Sequence, residues 1–516
     1  MENNNEIEIS IIKGEKLFNK NTPFAINLSS PQSEDSEKKC NADLICVIDI
    51  SGSMMGQKIY QVKESLKTLL NLMDEKDRIC LILFNEKGEN YYKLNYLNKD
   101  TKKNLIEKIN QIDAYGGTNI LSGLEIAIDV LKKECHNEKS VSSILLLSDG
   151  CDNYMNDIQL ADSLKRLTKG FGLSFTLNTF GYGNDHDEKI MNKLANLRDG
   201  SFFFVEDYSK ITEYFVSILG GGVSVISKKV DLKLEIINNN CKIVKVYGED
   251  NLYFHESNEK YFKTTMLQFM CGKEYTFVLE LFVDEQKVQI NEEILKVEII
   301  YEDISQNNKI FKKEKKYNFC LNDLNFVKAN DEYIRAYVYH VLDEAMKLRQ
   351  NNNYEESKKK LEEIEKWILN NYKGSNKNYI KDIQSAKGLF SNNEFDRLRS
   401  LKTVNCSIQE NAFKRTGVTM NFCNFMQLKM LRSIQDQMPL DTNQNPILPN
   451  TKPVGVTQNL RSFNYNFKKD CNKDIGKQGE KKNKLNQSNS IGPKFGKNID
   501  MNQPNINKHI EEDDDL

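Results

Sequence analysis

Hydrophobic residues change their spacing along the chain, and each change predicts a different kind of structure. Between residues 43 and 219, short continuous apolar runs alternate with stretches whose apolar positions recur every three or four residues. The run Leu44–Ile48, followed by the helical pattern from Ile59 to Met73, begins this alternation. Continuous apolar strands between helices are typical of a mostly parallel sheet that helices cover on both faces.

From Val223 to about Leu321, apolar and polar residues alternate with a period of two, and helical spacing is absent. This pattern favours an antiparallel β-sandwich domain over residues 222–325. The run Glu6–Ile11 has the same period, and we expect strands within residues 1–40 to complete the sandwich. The alternative, an extra edge strand on the central α/β sheet, is less favoured because that sheet, over residues 43–221, is already full.

Helical spacing returns at Asp331, where two apolar stripes predict an antiparallel helical hairpin with Trp367 in its core. Further helices are expected near residues 380–389 and 422–434, giving a C-terminal helical domain over 328–437. Residues 438–516 are rich in Asn and Lys and poor in large apolar residues. Such a composition offers too little apolar surface to offset the ordering entropy, so it predicts a disordered tail.

Composition narrows the functional classes. The 516 residues carry 72 Lys and Arg against 74 Asp and Glu, and this balance gives no general attraction to nucleic acid or anionic membranes. Neither an amino-terminal signal pattern nor an apolar run of roughly 18 residues is present. The 11 cysteines are scattered and include no C-x-x-C pair, which disfavours zinc and disulfide frameworks. We therefore expect a cytoplasmic protein with reduced thiols and no membrane span.

The chemistry centres on the loop after the first central strand. Its sequence, DISGS, places the carboxylate of Asp49 and the hydroxyls of Ser51 and Ser53 at alternate positions. These are hard oxygen donors that suit a small divalent cation. Asp149 follows another strand of the same sheet, and Thr118 begins a helix that must start on the same carboxyl edge, where open α/β sheets bind ligands. Singly, each residue is also an ordinary turn or helix-capping residue.

Three separated motifs, DISGSM, GGTNI and LLLSDG, together resemble the von Willebrand factor A domain, and the likeness covers residues 43–225. The resemblance implies a Rossmann-like fold with a metal-ion-dependent adhesion site. Its implied metal ligands are Asp49, Ser51, Ser53, Thr118 and Asp149. Mg²⁺ fits such a compact oxygen site that keeps waters, with Mn²⁺ or Ca²⁺ as alternatives. An exposed Asp or Glu of a partner protein would supply the last ligand.

Residues at the rim of this site are open to two interpretations. Asp185, His186 and Asp187 follow another strand and could add acidity or a pH-sensitive contact beside the metal. The favoured interpretation is that these residues cap the helix that follows. Tyr115, next to Gly116, is a candidate aromatic residue of the rim.

A second resemblance concerns the whole arrangement. The segments FGYGNDHDEKIM and AYVYHVLDEAMKLRQ are similar to plant wavy-growth-type proteins, which combine an A domain, a β domain and a helical region with a RING finger. The likeness covers about residues 1–435 and implies ubiquitin-ligase activity. No Cys or His pairs at zinc spacing precede Asp43.

We therefore expect a non-enzymatic protein-interaction module that binds an acidic group through the metal. A substrate-recruiting component of a ubiquitin-ligase system without its own RING is the alternative. A metal-dependent hydrolase is disfavoured because neither a general base nor a Gly-Lys phosphate loop is evident.

Overall fold

The protein is described here from a computed structural model. The residues that it describes are 6–30, 40–135, 140–170, 174–205, 210–222, 225–249, 252, 255–272, 274–304, 308–321, 326–372, 374, 377–391 and 394–412. The helix predicted near residues 422–434 and the tail predicted over 438–516 lie outside these residues. The domain limits drawn from the sequence stay predictions.

Two strands, β1 (Glu8–Lys13) and β2 (Thr22–Ser29), precede a six-stranded sheet. The strands of that sheet, in chain order, are β3 (Asn41–Asp49), β4 (Arg78–Phe84), β5 (Gly88–Tyr96), β6 (Ser140–Ser148), β7 (Phe175–Tyr182) and β8 (Phe202–Val205). Their spatial order is β5-β4-β3-β6-β7-β8. All neighbours run parallel except β4 and β5. The predicted α/β fold class is confirmed.

Helices cover both faces of this sheet, because the strands are apolar on both sides. In chain order they are α1 (Gln57–Leu72), α2 (Lys99–Asn110), α3 (Ile120–Glu134), α4 (Asp157–Thr168), α5 (Glu188–Leu197) and α6 (Ile211–Gly222). Alternate residues of β3 face opposite cores: Cys46 packs with the core under α1, α2 and α6, and Val47 with the core under α3, α4 and α5. The carboxyl ends of β3, β6 and β7 therefore meet at one edge, which we call the carboxyl edge.

The region after α6 is built from antiparallel strands. These are β9 (Val225–Ser227), β10 (Val230–Ile236), β11 (Cys241–Val246), β12 (His255–Ser257), β13 (Tyr261–Met266), β14 (Phe269–Met270), β15 (Glu274–Val283), β16 (Glu293–Asp303) and β17 (Lys309–Asn318). One sheet has the order β12-β13-β10-β16-β17 and another the order β1-β2-β15-β11. A single apolar core lies between these two sheets. The amino-terminal strands enter it through β2, which pairs with β15 from Ser29↔Glu274 to Thr22↔Leu281.

The helical region contains α7 (Phe326–Gln350), α8 (Tyr354–Asn371), α9 (Lys377–Lys387) and α10 (Glu394–Ala412). The hairpin of α7 and α8 shares one core with α9 and α10, and Trp367 packs against it partly buried. Helix α10 was not assigned from the sequence. Its buried Lys402 donates to the backbone oxygen of Asn184, which lies past the end of β7. Among the described helices, none combines the length and apolarity needed to cross a bilayer.

Candidate metal centre

The first component of the site is the loop after β3. Ser51 N–H donates to Asp49 Oδ1 over 2.8 Å, and the hydroxyls of Ser51 and Ser53 lie 3.0 Å apart. Asp49 and Ser51 are buried, whereas Ser53 is exposed. Burial raises the pKa of Asp49 to about 6, although hydrogen bonds from Ser148 and Ser51 act against this rise. One carboxylate and two hydroxyls thus share one short turn.

Thr118 reaches the same edge through backbone contacts between loops. Gly52 N–H donates to the oxygen of Gly116 over 2.9 Å, and a β-carbon on Gly52 would approach that oxygen to 3.3 Å. This close approach favours glycine at position 52. Thr118 is buried, and its N–H donates to Asn153 Oδ1 over 2.7 Å. Asn119, rather than Thr118, caps α3.

The third component is the loop after β6. Ser148 Oγ donates to Asp49 Oδ2 over 2.5 Å and accepts the N–H of Gly150, so this hydroxyl joins the first and third loops. Asp149 is fully buried. The backbone N–H of Asn153 donates to the oxygen of Thr118 over 2.9 Å, which ties the third loop to the second. The structure therefore brings all five predicted residues to the carboxyl edge.

One cation of the chain itself lies at this edge. Lys58 Nζ is 2.9 Å from Asp149 Oδ2 and 2.8 Å from Asp185 Oδ2. Burial pushes the pKa of Asp185 upward, but the hydrogen bond and charge of Lys58 outweigh it and hold that pKa below its usual value. The two acidic loops are thus bridged by one ammonium group.

The predicted rim residues have different surroundings. Asp185 is largely exposed and pairs with Lys58, whereas Asp187 caps α5 by accepting the N–H groups of Lys189 and Ile190. His186 is buried, donates through Nδ1 to the oxygen of Gly183 over 2.6 Å, and packs against aromatic rings. Burial, with the positive charge of Lys402, lowers the pKa of His186 to about 3.

The donor set suits a hard divalent cation. Two buried carboxylates lie here, one of them paired with Lys58, and the hydroxyl groups of Ser51 and Ser53 lie at the same edge, as does the buried Thr118. Within the described ranges, no three His, Cys, Asp or Glu side chains converge as a metal cluster. The groups that could hold a divalent cation at this edge are therefore the hydroxyls together with the two carboxylates, which are hard oxygen donors.

Sequence reasoning missed three contributors: Lys58, Ser148 and Asn153. For Lys58 a signal exists, because it lies in the first turn of α1, where the helix dipole disfavours a cation. A lysine there indicates an acidic partner from elsewhere. Ser148 and Asn153 carry no comparable signal, because the groups that they tie to the site, Asp49 and Thr118, belong to loops distant in the chain.

Comparison with known proteins agrees with this geometry. The family model for the von Willebrand factor type A domain matches residues 43–216. An uncharacterized protein of Synechocystis sp. is 25% identical over 261 residues, which are 49% of this chain and 60% of that protein. Inter-alpha-trypsin inhibitor heavy chain H2 of Sus scrofa is 32% identical over 189 residues, which are 35% of this chain and 19% of that protein. The aligned part is thus less than two thirds of either relative.

Among solved structures, the von Willebrand factor type A protein from Catenulispora acidiphila has a TM-score of 0.56 at 13% identity. The match covers 78% of this chain and 98% of that one. At this identity the likeness shows the fold alone. The family match, the sheet order and the loops at its carboxyl edge together identify residues 43–216 as a von Willebrand factor type A domain.

Proposed function

We propose that the protein binds an acidic group of a partner protein through a divalent cation, with Mg²⁺ as the favoured ion. The proposed ligands are Asp49, Ser51, Ser53, Thr118 and Asp149. The observation that carries the proposal is their convergence from three loops onto one edge of the sheet. The von Willebrand factor type A domain is a protein-interaction module, which agrees with a binding role.

Coordination chemistry explains why an acidic partner is favoured. The two proposed carboxylate ligands formally balance the double charge of the cation and the three hydroxyl ligands are neutral, but a hard divalent cation with an open position still prefers an anionic oxygen as its next ligand. When bound, the cation supplies a coordination position that this carboxylate can occupy. Ser148 and the N–H of Ser51 hold Asp49 in place, and Asn153 holds the Thr118 loop. These contacts would present the oxygens in a fixed arrangement.

Exposed large side chains lie close in sequence to the proposed ligands. Met55, Tyr115 and Tyr154 are largely exposed. Each lies within a few residues of a proposed ligand, and each belongs to a different one of the three loops. Aromatic and methionine side chains are frequent anchors of protein interfaces. We therefore propose that the acidic residue of the partner is flanked by apolar residues.

The first test measures metal binding directly. Titration with Mn²⁺, followed by electron paramagnetic resonance, should show one site in the wild type. Asp49→Ala should weaken it by roughly a hundredfold or more, because a buried carboxylate beside the cation is lost. Asp129→Ala is the matched control: Asp129 lies on α3 and pairs with Lys133. Equal Mn²⁺ binding by Asp49→Ala would contradict the proposed site.

The second test concerns the partner. Peptides with a central Asp or Glu between apolar residues should bind in Mg²⁺ and dissociate in EDTA. The same peptides with Asn or Gln at the centre should not bind. Binding that persists in EDTA, or that ignores the central carboxylate, would contradict a metal-bridged interaction.

We propose a non-catalytic role, and the surroundings of His186 support it. This imidazole is buried, and a pKa near 3 makes it a poor general base at neutral pH. Turnover of a generic phosphate ester that depends on Asp149 would contradict this view.

A narrower proposal follows from the wavy-growth resemblance: the chain recruits substrates to a ubiquitin ligase. The order of an A domain, antiparallel sheets and a helical hairpin agrees with that resemblance. The purified chain should then be inactive in an autoubiquitination assay, while a ligase partner should modify proteins that the chain binds. Clear activity of the chain alone would overturn the recruiting role.

A further inference from the structure

Lys58 is built into the candidate metal centre. Its ammonium group lies between Asp149 Oδ2 and Asp185 Oδ2, at 2.9 and 2.8 Å, and its side chain is only 15% exposed. The first turn of a helix repels a cation, so the two carboxylates offset an unfavourable position. The ammonium thus interacts with one of the carboxylates proposed to hold the metal.

The fold leaves room for this side chain at one glycine. Gly183 has a φ of +80°, and a β-carbon on it would lie 2.5 Å from Lys58 Cε and 2.6 Å from Asp185 Oδ1. A β-carbon there would displace the flexible end of the lysine, so glycine at position 183 leaves the space that this side chain occupies.

The two carboxylates that hold Lys58 differ in their surroundings. Asp149 has no exposed side-chain surface, and among the residues that the structure describes its other oxygen accepts the N–H of Cys151 alone, at 3.4 Å. Asp185 is 70% exposed. The ammonium can therefore leave Asp149 and keep Asp185, which makes exchange at Asp149 less costly than the loss of both partners.

We infer that Lys58 is an internal counter-ion that competes with the divalent cation at Asp149. This inference rests on the proposed metal site and deepens it. In the metal-free protein the ammonium neutralises Asp149. Divalent binding moves it away from Asp149 while Asp185 retains it. The competition lowers the divalent affinity, so occupancy responds to the cation concentration instead of being permanent.

The opposite role makes the opposite prediction. If Lys58 only held Asp149 in the correct orientation, its removal would weaken metal binding. The sign of the change in affinity therefore separates competition from positioning.

Lys58→Met keeps the apolar stem and removes the charge. Direct Mn²⁺ titration by electron paramagnetic resonance should show an affinity increase of roughly tenfold or more, because a like charge close to the site is removed. Without metal, the variant should melt at a lower temperature than the wild type, and saturating Mn²⁺ should abolish the difference.

The matched control is Lys63→Met on the same helix. Lys63 is 17% exposed, close to the 15% of Lys58, but its ion-pair partner Asp113 is 3.8 Å away and largely exposed. Its Nζ also donates to the oxygen of Asn110. Mn²⁺ affinity should change by less than about twofold, since this ion pair lies away from the site.

Asp185→Asn tests the anchoring role of Asp185. In the wild-type background it should weaken Mn²⁺ binding, because Lys58 then has only Asp149. In the Lys58→Met background the same substitution should have little effect. Such coupling marks residues that act on each other. Equal effects of Asp185→Asn in both backgrounds would overturn the anchoring role.

The outcomes distinguish this inference from the proposed function. If the wild type binds Mn²⁺ and Lys58→Met binds it equally or more weakly, competition is wrong and the metal site stands. If neither protein binds Mn²⁺, both proposals fail. Tighter binding by Lys58→Met, lost again in the Asp49→Ala/Lys58→Met double variant, supports both.

Discussion

Two buried carboxylates, Glu280 and Asp149, show how differently one fold can use the same chemical group. Glu280 lies on β15 and accepts hydrogen bonds from the Asn19 and Asn21 amides and from the Tyr247 and Tyr333 hydroxyls. Within the described part of the chain, Asp149 receives one ammonium group and one N–H at 3.4 Å. Glu280 is surrounded by neutral donors, whereas the partner of Asp149 is a movable cation.

The donors of Glu280 come from separate parts of the chain. Asn19 and Asn21 lie between β1 and β2, Tyr247 follows β11, and Tyr333 belongs to α7. Burial would raise the pKa of Glu280, but these hydrogen bonds outweigh it and lower that pKa below its usual value. Glu280 therefore fastens the helical region to the β region. A carboxylate that neutral donors saturate, such as Glu280, thus has a structural role. A carboxylate paired with an exchangeable ammonium group, such as Asp149, is suited to ligand binding.

The largest effect should come from Glu280→Ala. It leaves buried amide and hydroxyl donors without their acceptor and should lower the free energy of unfolding by about 3 kcal/mol or more. Urea denaturation measures this loss, and adding Mg²⁺ should not recover it.

Glu293→Ala is the control for this substitution. Glu293 lies on β16 and makes a half-exposed ion pair with Lys316, so its loss should cost less than about 1 kcal/mol. If Glu280→Ala were as stable as Glu293→Ala, Glu280 would not have the structural role that sets it apart from Asp149.

A middle-sized, pH-dependent effect should come from His186. The folded protein keeps this imidazole neutral down to its pKa of about 3, whereas the unfolded chain takes up a proton below about pH 6.5. The contribution of the neutral imidazole to the free energy of unfolding is therefore fully present above about pH 6.5, and it is lost as the pH falls. From about pH 6.5 to about pH 5 the loss should be about 2 kcal/mol, and His186→Asn should remove this slope.

His255→Asn is its control. His255 also has Nδ1 2.6 Å from a backbone oxygen, that of Leu252, but it is exposed. The free energy of unfolding of His186→Asn should depend less on pH over this range than that of the wild type. That of His255→Asn should depend on pH as the wild type does. If His186→Asn left the pH dependence of stability unchanged, His186 would be a solvent-accessible rim residue and not a buried one.

The smallest change in stability should come from Ser53→Ala. Ser53 is exposed and its hydroxyl interacts with that of Ser51, so the metal-free protein should lose less than about 0.5 kcal/mol. Mn²⁺ affinity should nevertheless fall by roughly tenfold, if this hydroxyl is a ligand.

Ser148→Ala provides the contrast. The buried Ser148 hydroxyl donates to Asp49 and accepts from Gly150, and its loss should cost about 1–3 kcal/mol without metal. Denaturation and Mn²⁺ titration together separate a ligand from a support. Unchanged Mn²⁺ binding in Ser53→Ala would remove Ser53 from the proposed ligand set.

Local patterns in the sequence were sufficient for the fold class. Continuous apolar strands between helices require a sheet covered on both faces, and the order of elements puts Asp49, Thr118 and Asp149 at one edge. The period-two alternation likewise predicted the antiparallel sheets. The fold class and the strand patterns depend on neighbouring residues and on the order of elements along the chain, and both can be read from the sequence.

Packing between distant segments decided the rest. The pairing of Lys58 with Asp149, the burial of His186 beside Lys402, and the four donors around Glu280 each join parts of the chain that no local pattern relates. Hydrophobic periodicity specifies which face of an element is buried, but not which polar group from another element will meet it there. At the loop DISGS, the sequence therefore predicted the oxygens, and only the tertiary structure revealed that Asp149, which lies at the same edge, is paired with the ammonium group of Lys58.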